Sequence, residues 1–350
     1  MKTKMTKMVI KSVMVAAFMF GAVICMREKP SSAYSVLPYY DPIDGTIKDE
    51  RIFSGSKVTG NDTTWSGTRI CTGEVTIDTR VTVNGDVKLI LADSCKLTIP
   101  KGITVEKGNS LTIYAMENGE GHLYAGTNGD GEIRLCDDGN AGIGGTRGKD
   151  CTEKGHDGLD GDPAWWERIT KVNRRSGSAQ IQIIRHAADP GAIGGNGSEG
   201  SDGQDAGRII INGGVITTRG GKDGAGIGGG AGGTGSDGGN GGKGGDAFRA
   251  ARGGRGGDGG NGGKGGDVET VEINHGTVNA YGDGIGADIG GGVGGEGGNG
   301  GKGGHGGYRD GRDGVSGQDG DNGECGQAGQ DGNADTIVIN GGTFNADEDE

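Results

Sequence analysis

From Thr72 onward, apolar and polar residues alternate in short runs: Val75 and Ile77, Val81 and Val83, Val87, Leu89 and Leu91, Leu97 and Ile99, Ile103 and Val105, Leu111 and Ile113. A period of two buries one face of a strand and wets the other. The runs break at Asn84-Gly85, at Pro100 with Gly102, and at Gly108-Asn109, too closely spaced for helical crossovers. Two architectures fit this half: an antiparallel sandwich, or a parallel coil whose rungs stack.

The second half repeats, and that favours the coil. Ile211-Asn212-Gly213-Gly214-Val215 is followed, 15 residues after Asn212, by Ile227 within Gly-Ile-Gly-Gly-Gly. Ile273-Asn274-His275-Gly276-Thr277 is followed at the same distance by Ile289, and Ile339-Asn340-Gly341-Gly342-Thr343 opens a third copy. Relatives of the second motif occur at Ala141 to Gly145 and Ala192 to Gly195. Self-similar short strands with fixed turn residues predict an all-β parallel solenoid. Stacked turns would set Asn212, Asn274 and Asn340 in a hydrogen-bonded side-chain ladder.

Glycine triplets lie between the repeats. DGGNGGKGGD runs from Asp237 to Asp246 and again from Asp258 to Asp267, and EGGNGGKGGH from Glu296 to His305. Glycine then occupies every third position from Gly311 to Gly332 and, earlier, from Gly191 to Gly203. Three is the period of polyproline II, but a chain with 6 prolines in 350 residues cannot support a collagen triple helix. Two readings stay open: extended helices packed through Gly-Gly faces within one chain, or flexible loops.

Composition agrees with stacked small contacts rather than one thick core. There are 85 glycines and 4% aromatic residues, against roughly 7% glycine in an ordinary chain. The net charge is −13, which excludes nucleic acid and anionic lipid surfaces as partners. Residues 1–33 resemble a cleaved export signal, with Lys2, Lys4, Lys7 and Lys11 before the apolar Val13 to Met26 and a small-residue site at Ser31-Ser32-Ala33. The mature chain then predicts no membrane span. The remaining organisation is a polar cap at 34–70, rungs at 71–145, an insert at 146–207 with a Trp-containing helix and a Gly-rich loop, repeat rungs with glycine inserts at 208–346, and an acidic tail at 347–350.

An exported chain can oxidise its cysteines. Cys71 and Cys95, 24 residues apart, are about one turn apart and could bridge, and Cys136 with Cys151 could close a loop; Cys325 is left over.

The run VKLILADSCKLTIPKGITVEKGNSLTIYAMENGEGHLYA, with AGIGG and the INGG copies, resembles bacterial secreted or cell-surface β-helix repeat proteins of the carbohydrate-binding-domain-containing type. The resemblance implies a right-handed parallel β-helix, an extracellular location and little about activity.

Candidate chemistry is sparse. The five histidines are scattered with no HExxH. Gly241 to Arg249 fits the calcium-binding nonapeptide, with Asp246 as ligand and Phe248 as anchor, so calcium is the one cofactor considered, through Asp237, Asp246, Asp258 and Asp267. Asp162-Pro163 is the start expected of a helix, on which Trp165, Ile169 and Val172 share a face. The ligand-binding candidates are Trp165 and Trp166, with Tyr124 and Tyr281 as outlying partners: Trp166 falls outside the stripe, free to stack on a sugar, while Trp165 could instead pack the helix on the solenoid flank. The leading expectation is a non-catalytic surface protein that binds polysaccharide or a surface partner. A structural coat or matrix element, an ice-binding protein, and a polysaccharide lyase or hydrolase are the alternatives.

Overall fold

The computed structural model describes residues 35–346, apart from 117, 173, 174, 176–178, 248, 284 and 309–316. The expected export signal, Phe248 and the acidic tail at 347–350 lie outside the described residues. The chain is all-β: among the described residues the only helical element is one 3-10 turn at Ser54–Ser56.

The expected polar cap is an antiparallel hairpin of β1 (Ser35–Asp41) and β2 (Thr46–Ile52), followed by β3 (Thr64–Cys71). Tyr39 packs on Ile70 and Ile90, and its ring meets Tyr114 edge-on at 4.8 Å. Next come β4 (Glu74–Thr76), β5 (Val81–Leu91), β6 (Lys96–Ile99), β7 (Ile103–Thr104), β8 (Ser110–Ala115), β9 (His122–Ala125) and β10 (Ile143–Gly144). A separate hairpin, β11 (Trp165–Val172) with β12 (Ala179–His186), precedes β13 (Ala206–Ile211), β14 (Val215–Arg219) and β15 (Ile227–Gly228). The chain ends with β16 (Val268–Ile273), β17 (Thr277–Tyr281), β18 (Ile289–Gly290), β19 (Ala334–Ile339) and β20 (Thr343–Asn345).

Ten strands form one parallel sheet, along the path β18-β15-β10-β7-β5-β8-β13-β16-β19 with β3 on the far side of β5. The long β5 turns the path: its first residues pair with β7 and its last with β8. The two arms and a second parallel sheet, β20-β17-β14-β9-β6-β4, wall one apolar core in a nearly closed, barrel-like arrangement. Alternation sets the registers, so identical faces stack. Leu89, Ile113, Ile211, Ile273 and Ile339 form one column across five strands. The last glycine of each Ile-Asn-Gly/His-Gly turn (Gly214, Gly276, Gly342) takes φ of 86° to 97°, which a β-carbon would oppose.

This corrects the expected right-handed parallel β-helix. Such a coil needs turns of near-constant length, but neighbouring strands are offset by 24 residues between Asp86 and Ser110, by 98 between Ser110 and Arg208, and by 62 or 66 later. One wall is also reduced to the two-residue strands β7, β10, β15 and β18. The cause is the glycine: each long offset is an excursion out of the strands and back.

Those excursions are ordered. Six extended segments, 145–164, 189–206, 229–247, 251–267, 291–308 and 317–333, exchange backbone hydrogen bonds every third residue. Outgoing segments run parallel to one another: Gly158 and Gly161 donate to the carbonyls of Asn240 and Lys243, and Gly238 and Gly241 to those of Asn299 and Lys302 (2.7–2.8 Å). Returning segments form a second layer, antiparallel to the first, through bonds such as Gly239 to Gly195 and Gly257 to Gly239 (2.7 and 2.8 Å). The packing excludes side chains: a Cβ on Gly257 would lie 2.0 Å from the Gly195 carbonyl oxygen. Of the two open readings, packed helices is the one the chain adopts.

Candidate functional site

The glycine bundle carries its hairpin turns away from the strand core, and the β11–β12 hairpin stands at this far end. It replaces the expected helix. The stripe Trp165, Ile169, Val172 had nothing to bury against, whereas the residues Ala179 to His186 offer a paired strand, with Trp165 opposite His186 and Val172 opposite Ala179. Aromatic and β-branched residues on both strands suit that choice. Among the described residues the hairpin strands pair only with each other, leaving Trp165, Trp166, Val172, Ile181 and Ile183 exposed, Trp166 to 66%.

Its base is organised. The Trp165 and His186 rings stack at 3.8 Å and 5°, with His186 Nε2 3.3 Å from Glu167 Oε2, and the Arg185 guanidinium lies 5.5 Å from the Trp166 ring centre. Ala164 N–H donates to the Asp246 carbonyl at 3.0 Å, and Asp246 Oδ1 accepts the N–H of Tyr308 at 2.7 Å. Lys243 pairs with Asp246 at 2.9 Å and sits 4.4 Å from the Tyr308 ring centre. Tyr308, which the sequence reading did not single out, is 71% exposed. Three outgoing segments thus deliver Trp165, Trp166, Lys243 and Tyr308 to one end.

Tyr124 and Tyr281 lie elsewhere, on the outer side of the six-stranded sheet. Tyr124, beside Thr217, is half-buried, stacked on His122 and approached by Lys96 at 5.4 Å; Tyr281, beside Arg219, carries that guanidinium at 4.4 Å. They do not join the tryptophans.

The four aspartates considered for calcium divide between the two layers: Asp237 and Asp246 on the outgoing one, Asp258 and Asp267 on the returning one. Each accepts a backbone N–H from the next segment of its layer, from Asn299, Tyr308, Glu324 and Asn333 respectively (2.7–2.8 Å). Lys243 and the Tyr308 N–H hold the Asp246 carboxyl below its ordinary range, and the Glu324 N–H with Arg255 does the same for Asp258. At Asp267 burial opposes ionisation, but Lys264 and the Asn333 N–H outweigh it. Among the described residues no three His, Cys, Asp or Glu side chains are grouped as a metal site.

Asn274 Nδ2 donates to Asn212 Oδ1 at 2.9 Å, and Asn340 Nδ2 to Asn274 Oδ1 at 2.7 Å. A second ladder, Thr217–Asn279–Asn345, went unread, although each member falls five residues after a ladder asparagine. All five described cysteines are free thiols. Cys71 and Cys95 are buried and hydrogen-bonded to each other, which raises the Cys71 thiol and lowers that of Cys95. Cys136 instead faces the carbonyls of Lys101 and Ala141 (3.7 and 3.5 Å) and Arg80, while Cys151 donates to the Glu199 carbonyl at 2.7 Å, so the structure gives these two different neighbours.

Of two grooves on the bundle, one of about 560 Å³ lies beside the tip, where Asp160, Lys243, Lys302 and His305 of the outgoing segments meet Asp319 and Asn322 of the last returning one. The other, about 310 Å³, lies on the returning layer among Asn196, Glu199, Asp258, Asn261, Glu324 and Gln327. No helix among the described residues is long and apolar enough to cross a membrane. Compared with known proteins, the chain matches no family model, no curated protein and no solved structure.

Proposed function

We propose that this is a non-catalytic extracellular or cell-surface binding module whose glycine bundle presents a glycan-binding tip. The observation that carries the reading is the β11–β12 hairpin, exposed on both sides with two adjacent tryptophans at its base. An apolar ridge left uncovered at the end of a stalk marks a contact surface. The indole face complements the apolar face of a sugar ring, and His186 behind Trp165 fixes one such ring in place. The export signal expected from the sequence of residues 1–33 supports the location.

Retention of the protein on a panel of insoluble polysaccharides, with and without chelator, tests this directly. Trp166→Ala should weaken retention about tenfold, since stacking contributes on the order of 1 kcal/mol beyond area burial, and no sugar should be released. Absence of retention on every glycan would sink the proposal, and released sugar would make the protein an enzyme.

A further inference from the structure

We propose that the ligand of the tip is an anionic glycolipid, a phosphorylated sugar that bears acyl chains and is displayed on a membrane surface. This rests on the glycan-binding reading and names its ligand class. It stands on a difference between the two faces of the β11–β12 hairpin.

Neighbours along a strand alternate in direction, and directly paired residues lie on the same side, so register assigns every side chain to a face. On one face Trp166 lies opposite Arg185, Arg168 opposite Ile183, Thr170 opposite Ile181, and Val172 opposite Ala179. Trp166, Val172, Ile181 and Ile183, each more than half exposed, thus share this face with Arg168 and Arg185. No carboxylate stands among them. The hairpin's one carboxylate, Glu167, is on the other face with His186, beside Lys171, Gln180 and Gln182.

A sugar alone accounts for only part of this face. Trp166 offers a platform for a ring, but three branched aliphatic side chains gain nothing from hydroxyl groups and would be covered by acyl chains. The arginines ask for a third group. A guanidinium matches phosphate through two parallel N–H bonds, and neither Arg168 nor Arg185 is paired with a carboxylate among the described residues. Arg185 lies 5.5 Å from the centre of the Trp166 ring, which sets a cation beside the sugar platform. Aromatic, cationic and aliphatic groups on one exposed surface are the combination that seats a protein at a lipid headgroup layer.

The charge of the whole chain, −13, gave the expectation that anionic lipid surfaces are excluded. That expectation does not extend to the tip. Residues 165–186 hold five Lys or Arg against the single Glu167. Each strand has eight residues, a reach of about 26 Å at ~3.3 Å per residue. The Debye length at physiological salt is about 8 Å, so a surface meeting this face feels the hairpin and not the acidic bundle.

The test is co-sedimentation of the protein with phosphatidylcholine vesicles of three kinds. One contains a multiply acylated diglucosamine bisphosphate, one phosphatidylglycerol (charge without sugar), and one galactosylceramide (sugar without charge). The deacylated diglucosamine bisphosphate is titrated in solution beside them. The first vesicles should bind about tenfold tighter than any other probe and shift tryptophan emission to the blue, a shift that Trp166→Phe should largely remove. Arg168→Gln with Arg185→Gln should weaken this binding about thirtyfold. Ile181→Ser with Ile183→Ser should lower it to the level of the deacylated sugar. All four positions are exposed, so Tm should not change. Equal binding to phosphatidylglycerol vesicles, equally tight binding of the deacylated sugar, or binding that survives both double variants overturns the glycolipid assignment. Retention on the polysaccharide panel would then leave the glycan reading standing. No binding to any vesicle, together with no retention across the panel, overturns both.

Discussion

Asp246 and Tyr308 are 62 residues apart, yet the carboxylate of one accepts the backbone N–H of the other at 2.7 Å. The same bond recurs at other Asp and Asn positions of the bundle: Asp157 to Asn240, Asp160 to Lys243, Asp258 to Glu324, Asn261 to Gln327. The glycine N–H groups of the bundle mostly donate to carbonyls of neighbouring segments, although those of Gly294, Gly303 and Gly306 go to side chains. The outward residue's own N–H needs a side chain, and a short acceptor on the preceding segment provides it. Counted this way, the acidic composition is partly a structural requirement.

A pH dependence follows. The carboxyls of Asp157, Asp246, Asp258 and Asp267 are all held below their ordinary range. A group whose folded pKa is depressed stabilises the fold above its unfolded pKa, about 3.9 for Asp, and that contribution is lost as pH falls through the folded value. Thermal stability should therefore hold between about pH 5 and 8 and decline steadily below about pH 4. Asp246→Asn keeps the acceptor and should flatten the decline. Circular dichroism melts across that range check this; a Tm unchanged down to about pH 2 would refute it.

Close approach, not loop flexibility, explains the bundle glycines. Gly257→Ala places a methyl 2.0 Å from the Gly195 carbonyl oxygen, with backbone on both sides and no side chain to move. The expected cost is about 3 kcal/mol or more, at the upper end of overpacking. Gly55→Ala, with nothing within 4 Å of the added carbon, should stay within about 0.5 kcal/mol. Denaturant midpoints for the pair separate an ordered bundle from flexible inserts.

Position within a column sets the cost of truncation. Ile211 and Ile339 share one column, but Ile211 is 0% exposed and Ile339, on the terminal strand, 50%. Ile211→Ala should cost about 3 kcal/mol and Ile339→Ala about 1 or less. Equal losses in urea melts would mean that another layer covers β19 in solution.

Much of this was legible because it is local. The alternation at Leu89, Leu111 and Ile113 gave strands with the correct face inward, and the recurring INGG located Asn212, Asn274 and Asn340. The helix expected from Asp162-Pro163 failed because a stripe is stabilised only by what it packs on, and Ile181 and Ile183 made a better partner than the bundle. The order of the glycine segments could not be decided locally. Each Gly-Gly face is satisfied by residues of other segments, as Gly238 is by Asn299 (2.8 Å) in the next outgoing segment and Gly239 by Gly195 (2.7 Å) in a returning one. Tyr308 was missed for the same reason: only the packed segments bring it to Lys243 and the hairpin.

The thiols offer a chemical check on the core. Cys71, at the end of β3, and Cys95, just before β6, are hydrogen-bonded to each other in the apolar interior. Exchange with oxidised glutathione would join the two sulfurs and release two equivalents of glutathione as thiol, enclosing a loop of about 24 residues and stabilising the protein by ~3 kcal/mol in the chain-entropy view. Burial keeps Cys136 protonated despite Arg80, and its neighbours are carbonyl oxygens, so it should remain a thiol. Oxidised protein, unfolded in an alkylating reagent and mapped by mass spectrometry, should show the Cys71–Cys95 bridge and alkylated Cys136. A bridge between Cys136 and Cys151 would contradict the placement of both residues, because it would require Cys151 to leave the Glu199 carbonyl and the turn at 136–141 to open.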